Sequence, residues 1–197
     1  VLRLLTIACL ALLLAQHLAR AEPAIVQVQS SSERGHVLLK ASFRAAVPRG
    51  LAFAVLTDFD HMAEFVPNLR SSRVLARQGN VFSIAQQGEY RYGLLSFSFD
   101  SQRRIELHGL DSIAAQALDT ANGQYRSLTR LSDDAGQTLV QFQADWVPAN
   151  GLLASIAESY LREQVEQQFR AMLGEMGNRA ARMPKSASAA AYANRVD

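Results

Sequence analysis

From His36 to Arg44 the chain alternates: Val37, Leu39, Ala41 and Phe43 fall on one phase, and His36, Lys40, Ser42 and Arg44 largely on the other. Period-2 alternation predicts a strand with one face in a core. Pro48 then stands where the first turn of a helix tolerates it, and Leu51, Phe53, Ala54, Val55 and Leu56 follow without a breaker, predicting a short helix that ends near Asp58. Asp60 is a candidate cap for one more turn or two before Phe65-Val66-Pro67 forces extended backbone.

Beyond Asn68 the punctuation changes. Gly79-Asn80, Gly88, Gly93, Gly109, Asn122-Gly123 and Ala135-Gly136 divide a series of strand-like runs. Two alternate clearly: Leu95, Phe97 and Phe99 against Ser96, Ser98 and Asp100, and Val140, Phe142, Ala144 and Trp146 against Gln141, Gln143 and Asp145. The short connections imply antiparallel neighbours, because parallel pairing needs long crossovers. With the first strand they predict about seven. After Asn150, a candidate cap, the period becomes helical: Leu153, Ala157, Leu161, Val165, Phe169, Met172 and Met176 step by three or four, widened by Ile156, Tyr160 and Leu173. The expected class is α+β, a curved antiparallel sheet with two short helices after the first strand and one long C-terminal helix.

The ends of the chain differ from this pattern. Residues 1–21 carry Arg3, an apolar run of about a dozen residues and Ala19-Arg20-Ala21, the layout of a secretory signal peptide and too short to span a bilayer. Residues 22–34, with Ser30-Ser31-Ser32, read as a flexible linker, 35–182 as the folded domain, and 183–197, rich in alanine and serine after Pro184, as a disordered tail. The chain of 197 residues has 20 basic against 18 acidic side chains; cleavage after Ala21 would remove Arg3 and Arg20 and leave 18 of each. The single cysteine, Cys9, would leave with them, so no thiol chemistry or disulfide is expected. The expected destination is across the inner membrane, in the periplasm.

The run Val55 to Leu69, with Leu56, Asp58, Phe59, Phe65, Pro67 and Asn68 at their positions, resembles the START-like superfamily, specifically its polyketide cyclase/dehydrase and coenzyme-Q-binding branch. The resemblance extends over residues 35–182. It implies a helix-grip fold in which the sheet wraps the C-terminal helix and a cavity opens between them. Apolar-phase residues are the candidate wall: Phe82, Ile84, Tyr90, Phe97, Phe99, Phe142, Trp146, Tyr160 and Phe169, with Gln86 on the same phase as a candidate for a ligand's polar end. For any single aromatic a place in a solid core is the commoner outcome, and Gln86 could equally pair with a neighbouring side chain or a buried water.

Other chemistry finds little support. There is no nucleophile elbow, dinucleotide loop or phosphate loop. His36, His61 and His108 are isolated from any metal spacing, so neither a metal nor a cofactor is expected. Asp58 and Asp60 could serve a cyclase as acid or base, but capping backbone amides is the commoner use of such residues. The basic groups Arg70, Arg73, Arg77, Arg103-Arg104, Arg179 and Arg182 are scattered among acids, which disfavours nucleic acid and suggests a solvated surface. Arginines at a cavity mouth could still meet anionic lipid heads in transient membrane contact. The sequence says nothing of oligomeric state.

The expected function is therefore an exported protein that binds a hydrophobic small molecule such as a lipid, an isoprenoid quinone or a polycyclic compound, with no catalytic residue assigned. An aromatase/cyclase on a polyketide-like substrate is the alternative. A third reading, an interaction protein with a vestigial cavity, would be favoured by the lack of a pocket of about 300 Å³.

Overall fold

The computed structural model describes residues 25–92, 95–119, 123–149 and 151–183. The proposed signal segment, the candidate cap Asn150 and the tail from Pro184 lie outside the described residues. The elements in chain order are β1 (Gln27–Glu33), β2 (His36–Ala45), α1 (Arg49–Leu56), a 3-10 turn (Phe59–His61), α2 (Met62–Phe65), β3 (Leu69–Gln78), β4 (Val81–Tyr92), β5 (Leu95–His108), β6 (Ser112–Ala117), β7 (Gly123–Asp134), β8 (Gln137–Pro148) and α3 (Gly151–Arg182).

All eight strands form one antiparallel sheet in the order β1-β2-β8-β7-β6-β5-β4-β3. Strands β3 to β8 form a meander, and the β1–β2 hairpin lies beside β8. The crossover from β2 to β3, made of α1, the 3-10 turn and α2, thus carries the chain from one side of the sheet to the far edge. Register shifts in β3, between Leu69 and Ser71 and between Val74 and Ala76, add local bends at that edge.

β1 is the eighth strand, and it occupies residues expected to belong to a linker. The sequence signal is weak because the inward phase of this strand is mostly polar: Val28, then Ser30 and Ser32. Those two hydroxyls donate to Glu158 of α3, at 3.3 and 2.9 Å, so their polarity is satisfied against the helix. Arg34 and Gly35, both at positive φ (50° and 83°), make the two-residue turn that suits a tight hairpin.

The core lies where α3 crosses β2 and β8. Alternation along β2 buries Val37, Leu39, Ala41, Phe43 and Ala45, and register places Phe142 of β8 opposite Ala41 and Val140 opposite Phe43. Phe169 of α3 lies 5.4 Å from Phe43 and 5.1 Å from Phe142, ring centre to ring centre, and Met172 and Met176 continue the buried stripe. Sheet face and helix stripe each need the other for burial.

Candidate ligand cavity

Between the sheet and α3 the core does not close. A cavity of about 150 Å³ lies under the crossover, partly open to solvent. Its apolar lining comes from every layer: Ile84, Ile105 and Ile113 from the sheet, Phe59 and Met62 from the crossover, and Val165 and Phe169 from α3. A smaller space of about 40 Å³ shares Met62, Gln86, Arg103, Gln164 and Gln168 with it, and adds Phe99, Val66, Pro67 and Leu69. A depression of about 200 Å³ on the convex face is lined chiefly by Gln27, Gln29, Lys40, Gln141 and Gln143, without the apolar enclosure of the inner cavity.

The candidates from sequence divide in three. Ile84, Gln86, Phe142 and Phe169 line the main cavity, and Phe99 lines the smaller one. Phe82, Trp146 and Tyr160 are half-buried outside both linings; Phe82 packs 5.6 Å from Phe59, beneath the 3-10 turn. The side chains of Tyr90 and Phe97 lie outside the described residues. Gln86 donates its amide to Ser72 Oγ at 3.2 Å and to Met62 Sδ at 3.5 Å, which ties β4 to β3 and to the crossover.

Arg103 corrects the expectation of a solvated surface for the Arg103-Arg104 pair. Adjacent strand residues face opposite ways. Arg104 is exposed and bonds Glu106 at 2.9 Å on the outer face. Arg103 points inward with Ile105, lines both spaces, and rests its guanidinium 5.0 Å from the Tyr125 ring centre. The signal was present in the sequence, since Arg103 continues the phase of Phe97, Phe99 and Ile105. Gln164 and Gln168 were missed for a related reason: they flank the apolar stripe of α3 at an i, i+4 spacing, where polar residues ordinarily face water.

Neither member of the Asp58–Asp60 pair caps a helix end, although Asp60 does satisfy a backbone amide. No side-chain cap bond forms at the 3-10 turn or at α2. Asp60 accepts from the backbone N–H of Val74 at 2.8 Å. Asp58 accepts from Arg179 of α3 at 2.7 Å and lies 2.6 Å from His61 Nδ1, while Arg179 also bonds Glu175 at 2.8 Å and sits over the Phe65 ring. Burial works to raise the Asp58 pKa, but the hydrogen bonds and charges of His61 and Arg179 outweigh it and hold the carboxyl below its usual range. The Arg179 hydrogen bond likewise depresses Glu175 against the effect of burial, and the bond to Asp58 raises His61. This cluster clasps the crossover to α3 and contributes no lining residue.

Asn68 supplies a second tie. At φ 66° it turns the chain into β3, and its amide donates to Gln164 at 3.0 Å. Its carbonyl accepts from Glu89 N–H beside Gly88, where an added Cβ would fall 2.1 Å from that same oxygen and 2.4 Å from the Phe99 ring. Among the described residues no group of His, Cys, Asp and Glu could hold a metal ion, and no helix is long and apolar enough to cross a membrane.

A curved antiparallel sheet gripping one long helix over an apolar cavity defines a START-type helix-grip protein. The family model described as polyketide cyclase / dehydrase and lipid transport matches residues 45–173, and the chain belongs to that family. Among solved structures it is similar to a STAR-related lipid transfer protein from Xanthomonas axonopodis, with 13% identity over 79% of this chain and 96% of that one, TM-score 0.66. It is also similar to the Zhui aromatase/cyclase from a Streptomyces species, with 19% identity over 78% and 99% of the two chains, TM-score 0.57. A START superfamily protein from Mycobacterium smegmatis is similar at 14% identity over 73% and 99%, TM-score 0.59. At these identities the likeness concerns the fold. No curated protein matches the chain.

Proposed function

We propose that this protein is an exported binder of a hydrophobic small molecule, held between the sheet and α3. The observation that carries the reading is an apolar cavity whose described lining contains no carboxylate and no imidazole. That lining, whose ionisable residues are Tyr125 and Arg103, suits retention of a ligand better than acid–base turnover, which most often draws on His, Asp or Glu. Export rests on the signal-like layout of residues 1–21.

The volume limits the ligand. At about 150 Å³ the cavity falls under the 300 Å³ mark, which counts toward the vestigial reading, and an apolar cavity of this size takes a benzene-sized group. Burying about six carbons contributes roughly 5 kcal/mol before ordering costs, so the enclosed part alone gives weak binding. A longer chain requires α3 and the crossover to separate, or a tail that extends outward. Against a vestigial cavity stands Arg103, since a half-buried charge with no carboxylate partner among the described residues is costly to keep for no purpose.

The test is a thermal-shift and calorimetric panel of apolar compounds of graded size, run against the protein and Ala115→Phe, which fills the cavity from β6. Binding to the parent that is abolished in the folded variant supports the reading; no binding by any compound contradicts it. Intact mass of protein from its own host tests export, with cleavage after Ala21 expected.

A further inference from the structure

We propose that the ligand is an anionic amphipath whose oxyanion head sits on Arg103, with its apolar part among Ile84, Ile105, Ile113 and Phe169. The inference rests on the hydrophobic-binding reading above and narrows it, since it disfavours neutral quinones and hydrocarbons. Three observations carry it.

The first is the contrast between Arg103 and the other half-buried arginines among the described residues, Arg49 and Arg179. Each of those two has a carboxylate partner. Arg103, which is half-buried and lines the cavity, has none among the described residues; its one described partner is the Tyr125 ring. Stacking on an aromatic face holds the guanidinium plane and leaves its N–H edge available to a planar or tetrahedral oxyanion.

The second is the company Arg103 keeps. Gln164 and Gln168 from α3 line the same two spaces. The Gln164 oxygen is already occupied by Asn68, which leaves its NH₂ to donate, and Gln168 has no hydrogen-bond partner among the described residues. Amide and guanidinium donors are thus shared by the two spaces, and the rest of the main lining is apolar but for the hydroxyls of Tyr125, Ser127 and Thr129. The third is Ser101, two residues before Arg103 on the same strand face and opposite Gln86, whose Oγ is buried without a hydrogen-bond partner among the described residues. It lines neither space itself, but its register partner Gln86 lines both.

The experiment titrates octanoate, octan-1-ol and octyl phosphate into the full chain and into Arg103→Gln by calorimetry. All three probes share one tail and differ in head. The parent should bind an anionic probe about tenfold or more tighter than the alcohol, the range of a charge-assisted hydrogen bond. Arg103→Gln should bring the anions to the level of the alcohol measured in the same variant. Arg103→Met, apolar and of similar length, serves the same comparison if the glutamine variant does not fold. The stronger of octanoate and octyl phosphate identifies the head as carboxylate or phosphate. Equal binding of alcohol and anions by the parent overturns the anionic head but leaves the hydrophobic site standing. Failure of all three probes to bind overturns the site, and this inference with it.

Discussion

Asp58 and Arg179, 121 residues apart in the chain, meet through a hydrogen-bonded ion pair of 2.7 Å that fastens the crossover to the C-terminal part of α3. The crossover supplies Phe59 and Met62 to the cavity and α3 supplies Val165 and Phe169, so this pair joins the two elements that carry those walls. Both side chains are largely shielded, Arg179 at 27% and Asp58 at 21% relative exposure, which lifts the pair above an ordinary surface contact.

Arg179→Ala should therefore destabilise the fold by about 1 to 3 kcal/mol, because it leaves Asp58 and Glu175 without their shared cation. Urea unfolding measures it. A double-mutant cycle with Asp58→Asn should return a coupling of at least about 0.5 kcal/mol; strict additivity would show that the contact carries no energy.

The same cluster fixes two pH windows with opposite signs. Asp58 and Glu175 are depressed in the folded state, so their contribution is present above the unfolded values, about 3.9 and 4.3, and is lost as pH falls through the folded values. His61 is raised, so its contribution is present below about pH 6.5 and is lost as pH rises through its folded value. The stability gap between the parent and Arg179→Ala should close on the acid side, and the gap to His61→Ala on the alkaline side. Unfolding curves from about pH 3 to pH 8 check both. A gap that is constant over that range would contradict the assignment.

Gly88→Ala tests the close approach of β4 to Asn68. The new methyl would meet the Asn68 carbonyl and the Phe99 ring inside contact distance, so a loss of about 1 to 3 kcal/mol is expected from chemical denaturation. Since Asn68 also anchors Gln164, the variant should weaken ligand binding as well as stability. Unchanged stability would show that the strand relaxes freely.

Phe169→Ala tests the junction of core and cavity. Its ring packs on Phe43 and Phe142 and also lines the cavity. Truncation should cost about 3 to 5 kcal/mol. The enlarged space should accept larger apolar ligands in the thermal-shift panel. A loss under about 1 kcal/mol would remove Phe169 from the core.

Much of the fold could be read from the chain because its strands and long helix obey simple periods. Val37, Leu39, Ala41 and Phe43 mark β2, and Phe169, Met172 and Met176 mark the buried stripe of α3. β1 escaped because Ser30 and Ser32 face a glutamate on the helix, a tertiary pairing that leaves no apolar trace. Cavity residues were legible in part for the same reason: Ile84, Phe142 and Phe169 lie on apolar phases, but so do Phe82 and Trp146, and only the curvature of the sheet separates wall from solid core. Arg103 is the instructive case. Its strand phase pointed inward while its charge argued for solvent, and the phase prevailed because Tyr125 and the cavity give the guanidinium somewhere to sit.

The central claim, a hydrophobic ligand between the sheet and α3, is tested most directly by native mass spectrometry of the protein purified from its own host, alongside Ala115→Phe prepared the same way. The account predicts an excess mass on the parent that is removed by organic solvent, belongs to an amphipathic small molecule, and is missing from the folded variant. A parent that flies at its bare polypeptide mass, or an adduct that persists unchanged in Ala115→Phe, would contradict it.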